Sequence, residues 1–146
     1  MKIRLLKIGR IKKEFQPLLN VYHNRLKSFS KTEFLEAKNN EQALKLVQEL
    51  KQKTGQIIVC LDEKGRQWSS KELSSFVGKH TDEPQTKSLT FIVGSPYGLT
   101  SEISNYADYK WSLSNATFPS DIAWLLLNEQ IYRAFNIING TPYHHE

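Results

Sequence analysis

The chain has 146 residues, enough for one domain whose core removes roughly two-thirds of its unfolded surface from water. Hydrophobic residues make up 39% and aromatics 11%, which excludes a disordered polar tract. Twenty Lys and Arg against 15 Asp and Glu leave a net charge of +5, which permits an anionic partner without demanding one. The longest apolar run, Ile122 to Leu127, is far short of the roughly 20 residues of a membrane-spanning helix. Charge interrupts the first seven residues too often for a secretory signal. The single cysteine, Cys60, excludes an internal disulfide, and no Cys/His cluster has zinc-finger spacing. The expectation is one soluble, metal-free, cytoplasmic domain over residues 1–146.

Ile3 to Ile8 is a short apolar run stopped by Gly9, which predicts a strand. Residues 11–27 carry Phe15, Leu18, Leu19, Tyr22 and Leu26 at helical gaps of three and four. Thr32 to Ala37 predicts a weak strand. Asn40 is expected to cap a helix over Glu41 to Lys53 that Gly55 ends. Gln56 to Leu61 is continuously apolar and rich in β-branched residues, as a strand covered on both faces should be. Asp62 to Gly65 reads as a turn, and Ser69 or Ser70 as the cap of a helix to about Val77. Residues 78–87 read as polar loop, and Ser88 to Val93 as a second buried strand. Thr100 can cap a short helix, and Tyr109 to Leu113 is a fifth strand candidate. Pro119 introduces the last helix, to about Ile138, and Gly140 and Pro142 end it. Strands alternating with helices predict an α/β fold, a mostly parallel sheet flanked by helices. In such a sheet ligands bind beyond the carboxyl ends of the strands, here after Leu61, Val93 and Leu113.

No dinucleotide-binding glycine fingerprint, Walker A sequence or Gly-x-Ser-x-Gly elbow is present. The last third carries a different set of motifs. Gly94-Ser95-Pro96-Tyr97-Gly98 follows a strand, then Trp111-Ser112-Leu113-Ser114, then Phe118-Pro119. Glu129-Gln130-Ile131-Tyr132-Arg133-Ala134 lies on the last helix, and the chain ends Pro142-Tyr143-His144-His145-Glu146. This series resembles the small bacterial SPOUT-class methyltransferases that modify a pseudouridine of large-subunit ribosomal RNA. In that family a Gly-Gly-x-x-Gly loop, a Ser-Leu-Ser segment, a Leu-Pro-His turn, a Glu-Gln-x-Tyr-Arg-Ala helix and a Pro-Tyr-His ending follow at similar spacing. Leu61-Asp62-Glu63-Lys64-Gly65 fits the pattern as well, so the resemblance covers essentially the whole chain.

The resemblance implies a C-terminal trefoil knot, a homodimer and S-adenosyl-L-methionine as cofactor. It implies methyl transfer to N3 of a pseudouridine in 23S ribosomal RNA, as free RNA or in the assembled ribosome. The cofactor residues would be Leu61, Gly94, Ser95, Gly98, Ser114, Asn115, Ala116, Thr117, Phe118 and Pro119. Arg133, Tyr143 and His144 would serve chemistry or nucleotide positioning, with the tail reaching a site completed by the other subunit. Such a transfer needs alignment and help with the departing ring proton, but no metal.

Three positions depart from the family pattern. Ser95 stands for the second glycine, Ser120 for the histidine of Leu-Pro-His, and Trp124 for an arginine. The last two motivate an alternative, a non-catalytic RNA- or ribosome-binding dimer that keeps the knotted fold. Trp124 is read as a packing or dimer contact rather than a base-stacking surface. Glu129 is read as a helix charge pairing with Arg133. His23 and His80 are read as surface residues and Cys60 as a small buried hydrophobe. Lys7, Arg10, Lys12, Lys13, Arg25 and Lys27 form a basic group, either a solvated face or a phosphate-contacting patch.

Overall fold

A computed structural model of the chain describes residues 1–145. The strands are β1 (Lys2–Ile8), β2 (Lys31–Ala37), β3 (Gln56–Gln67), β4 (Ser88–Val93) and β5 (Tyr109–Ser112). The helices are α1 (Gln16–Lys27), α2 (Asn40–Lys51), α3 (Ser70–Asp82), α4 (Ser101–Ser104) and α5 (Ser120–Asn139). The strands form one sheet in the order β2-β1-β4-β3-β5, and every neighbouring pair is parallel. This is the α/β architecture that the alternation of elements predicts.

The topology follows from right-handed crossovers. Each step toward the β2 edge places its helix on one face, and each step back places it on the other. One core therefore joins the sheet to α1, α3 and α5, through Leu19, Leu26, Leu73, Val77, Trp124, Leu127 and Ile131. The other joins it to α2 and α4, through Ala43, Val47 and Ile103. β4 lies between β1 and β3 with every residue buried. That explains its unbroken run Leu89-Thr90-Phe91-Ile92-Val93.

Local details differ from the sequence expectation in three places. The cap of α2 is Asn39, one residue before the expected Asn40, and its side chain accepts from the Gln42 N–H at 2.9 Å. The expected turn at Asp62 to Gly65 is instead strand, since β3 runs on to Gln67. Its register against β5 slips between Leu61 and Arg66, so the turn residues form an irregularity within the strand. A Cβ on Gly65 would come within 2.6 Å of the Lys110 carbonyl, so the two backbones approach more closely than a side chain permits. The expected loop from residue 78 is helix, because α3 continues to Asp82. Gly78 reads as a breaker, yet it faces Ile138 of α5 at a helix–helix contact, where its small size suits the approach. The Ser69 capping box is present in full.

Candidate functional site

The loops after β4 and β5 and the irregular stretch Leu61 to Lys64 within β3, where a loop after Leu61 was expected, enclose a cleft of about 400 Å³. Leu61, Gly94, Ser95, Gly98, Ser114, Ala116, Thr117 and Phe118 line it, and Trp111 and Leu113 add apolar wall. Asn115 and Pro119, expected beside them, are not part of the lining. Asn115 turns away and accepts from Gln67 Nε2 at 2.6 Å, and Pro119 serves as the N-cap of α5.

The turn after β4 is tightly built. Gly98 N–H donates to the Ser95 carbonyl at 2.8 Å, and the Ser95 hydroxyl accepts from Tyr97 N–H at 3.3 Å. Gly98 has φ +82°, a conformation that favours glycine. A Cβ on Gly94 would lie 3.0 Å from the Gly98 carbonyl carbon, so Gly94 lets the two limbs of the turn close. Ser95 needs no glycine, because no residue other than glycine has a positive φ in the described chain. The Ser114 hydroxyl accepts from Ala116 N–H at 3.0 Å and shapes the loop after β5 in the same way.

Beneath this cleft lies Lys7, only 1% exposed. Its Nζ donates to the Ile8 carbonyl at 2.7 Å, and reaches the Gly94 carbonyl and the Ser120 Oγ at 3.4 Å each. Burial lowers its pKa, and Asp121 and Glu36 partly offset that. The expected basic surface group therefore loses Lys7, while Arg10, Lys12, Lys13, Arg25 and Lys27 remain exposed. The structure covers β1 on both faces, with Ile3 and Leu5 in one core and Leu6 and Ile8 in the other, which buries the lysine between them.

The second cluster sits where α5 meets the tail. The helix stops at Gly140, whose φ of +69° reverses the chain, and Thr141 N–H donates to the Asn136 carbonyl. That turn lays Tyr143 and His144 back along α5. Arg133 Nη2 and Nε donate to Glu129 Oε1 at 2.6 and 3.0 Å. Tyr143 Oη donates to the same oxygen at 3.1 Å. The Arg133 guanidinium lies 4.9 Å from the centre of the Tyr143 ring, and its Nη1 donates to His144 Nδ1 at 3.0 Å. A guanidinium only donates, so Nδ1 accepts and the ring proton sits on Nε2. The Glu129 hydrogen bond raises the Arg133 pKa; burial, with Tyr22 and Glu129, raises that of the Tyr143 phenol. Both groups therefore remain donors over the physiological range.

The structure thus brings Arg133, Tyr143 and His144 together, and none of the three lines the cleft of the same chain. Glu129 pairs with Arg133 as expected, but it also holds Tyr143, which spacing alone did not indicate. Trp124 is 1% exposed within the core, so it is a packing residue and not a surface for RNA. Its spacing to Leu127 and Ile131 carried that signal. His80 is buried, 4.6 Å from the Phe76 ring, and His23 is half-buried on Phe34 at 3.6 Å; neither is the surface residue expected. Cys60 is buried as expected. Among the described residues no His, Cys, Asp and Glu side chains form a group able to hold a metal ion, and no helix is long and apolar enough to cross a membrane.

A family model described as "Predicted SPOUT methyltransferase" matches residues 1–144. The ribosomal RNA large subunit methyltransferase H of Christiangramia forsetii is 37% identical over 157 aligned positions, covering 99% of both chains. The protein of the same name from Gloeobacter violaceus is 36% identical over 155 positions, again covering 99% of both. Among solved structures, that of a probable methylase family protein from Haemophilus influenzae Rd KW20 superimposes with a TM-score of 0.57 at 14% identity. The superposition covers 94% of this chain but 66% of that longer one, and the likeness is one of fold.

Proposed function

Because the chain belongs to the SPOUT methyltransferase family, we propose that it transfers the methyl group of S-adenosyl-L-methionine to N3 of a pseudouridine in 23S ribosomal RNA. The observation that carries this reading is the convergence of three motif-bearing segments on one cleft: the irregular stretch of β3 from Leu61, the loop after β4 and the loop after β5.

The cleft suits the cofactor. Leu61, Leu113 and Phe118 offer apolar surface to a purine, and the turn closed by Gly94 brings backbone polar groups to its edge. When bound, S-adenosyl-L-methionine supplies an activated methyl group on a sulfonium leaving group. The rest falls to the chain's own side chains. The Arg133 guanidinium, fixed by Glu129, stabilises negative charge on the target base as its ring proton departs. Tyr143 and His144 position the nucleotide, and the raised phenol pKa keeps Tyr143 a hydrogen-bond donor.

The homodimer and the knot belong to the same reading. Arg133, Tyr143 and His144 lie outside their own chain's cleft, so each set completes the cleft of a second subunit. Leu18 and Val21 on α1 and Ile122 on α5 remain exposed apolar side chains on helices available for that contact. The strand order requires the chain to cross back past β3 after leaving β4, which is compatible with a C-terminal trefoil knot. The site of action in this reading is the cytoplasm. Calorimetric titration with S-adenosylmethionine and S-adenosylhomocysteine tests the cleft, with saturable binding at one site per subunit expected. Binding of neither compound, alone or with ribosomes present, contradicts it.

A further inference from the structure

Lys7 carries an amine at a position only 1% exposed. A charge taken out of water costs several kcal/mol unless it is paired, and no carboxylate lies within ion-pair distance of this one among the described residues. Its Nζ also faces Ser120, the first residue of α5, where the helix dipole presents its positive end. The titratable groups that face it are Glu36 on β2 and Asp121 on α5, both acting at longer range. β4 and the loop after it offer only the Gly94 carbonyl, and β1 itself the Ile8 carbonyl. A residue that breaks the local rules of stability is a candidate for function.

Its contacts give that function a form. Gly94 begins the loop after β4, and Ser120 begins α5. Both line the cleft, and the Lys7 ammonium is the group that touches both from behind. The contacts to Gly94 and Ser120, at 3.4 Å each, are longer than the 2.7 Å hydrogen bond to the Ile8 carbonyl.

We propose that Lys7 is a positioning residue of the methyl-transfer cleft: its buried ammonium grips the Gly94 carbonyl and the Ser120 hydroxyl, and so holds the loop after β4 to the start of α5 around the cofactor. The inference rests on the methyltransferase reading above. Lys7 does not touch the reacting atoms; it acts through Gly94 and Ser120.

The test is calorimetric titration of S-adenosylhomocysteine into the wild-type protein and into Lys7→Met and Lys7→Arg, with Tm measured for each. Methionine removes the charge and keeps the length. Losing charge-assisted hydrogen bonds should weaken binding about tenfold in Lys7→Met. Its Tm should stay level or rise, because a buried charge without an ion-pair partner is gone. Lys7→Arg keeps the charge and should recover part of the affinity. The ratio of wild-type to Lys7→Met affinity should shrink as alkaline pH neutralises the amine, which removes any contribution from the ligand's own titration. Equal affinity in wild type and Lys7→Met overturns the proposal and leaves the cofactor reading intact. Affinity and Tm falling together also overturn it, since Lys7 is then only structural. Failure of the wild type to bind S-adenosylhomocysteine removes the cofactor reading, and the proposal with it.

Discussion

Glu129 and Arg133, one turn apart on α5, meet at 2.6 Å, and the same Glu129 oxygen accepts from the Tyr143 hydroxyl. One carboxylate therefore sets the position of both the guanidinium and the tail. Surface pairs at this spacing are worth a few tenths of a kcal/mol. This one is half-buried, draws two nitrogens from Arg133, and anchors a third group, so its role is geometric order.

Glu129→Gln should free the guanidinium and the phenol together. Methyl transfer should fall by about tenfold or more, for a loss of roughly 1.5–3 kcal/mol in charge-assisted hydrogen bonding. Binding of S-adenosylhomocysteine should move little, because Arg133 and Tyr143, which Glu129 holds, act in this reading on the target nucleotide and not on the cofactor. Tyr143→Phe keeps the ring over Arg133 and removes only the Oη hydrogen bond, so its loss should be smaller, about fivefold. Single-turnover rates beside titrations separate the two effects.

The turn after β4 makes a second pair of expectations. Gly94→Ala places a methyl group against the backbone of Gly98 and Leu99, so the loop must open and affinity for the cofactor should drop. Gly98→Ala meets no neighbour within 4 Å but must adopt φ +82°, which costs roughly 1–2 kcal/mol. The first should show mainly as weaker binding and the second mainly as a lower denaturation midpoint. Equal effects of both variants on both readouts would contradict this division.

Which parts were legible from residues alone follows from physical causes. The buried strands β3 and β4 announced themselves through continuous apolar runs, and the loops after β4 and β5 through position in a parallel sheet. Gly78 was misleading because a glycine at a helix–helix contact has the same letter as a glycine that stops a helix. Gly65 misled similarly, marking a close backbone approach within a strand instead of a turn. The contact of Lys7 with Ser120 and the hold of Glu129 on Tyr143 were hidden for another reason, although the pairing of Glu129 with Arg133 was expected. The partners Ser120 and Tyr143 are distant in sequence, and charge alone reads as solvated surface. Trp124 and His80 show the reverse case, with helical spacing to apolar neighbours that outweighs the polar atom each carries.

Cys60 gives a chemical test of the core. Burial is the main cause that pushes its thiol up to about 12, so almost no thiolate exists near neutral pH. The native protein should not react with a disulfide reagent at pH 8, and one thiol should titrate after denaturation. Rapid reaction of the folded protein would show that the sheet opens at β3.

His23 sets an acid limb in the stability profile. Burial first, and Lys27 second, lower its pKa from 6.5 to about 4. The unfolded chain therefore takes up this proton first, and the folded state loses stability as pH falls from about 6.5 to about 4, with no further loss from this group below that. With partial exposure discounted, the loss is about 1–2 kcal/mol. His23→Phe keeps the stacking on Phe34 and should flatten the denaturation midpoint between pH 6.5 and 5. An unchanged slope would assign the acid limb to other groups.

The most direct measurement of the central claim is methyl transfer itself. Purified protein is incubated with methyl-labelled S-adenosylmethionine and with free 23S ribosomal RNA, large subunits or whole ribosomes from cells lacking the enzyme. The account predicts label in 23S ribosomal RNA, at N3 of one pseudouridine, with Arg133→Ala strongly impaired. Absence of label in all three substrates, from protein that binds the cofactor, would contradict it and favour an RNA- or ribosome-binding dimer without catalysis.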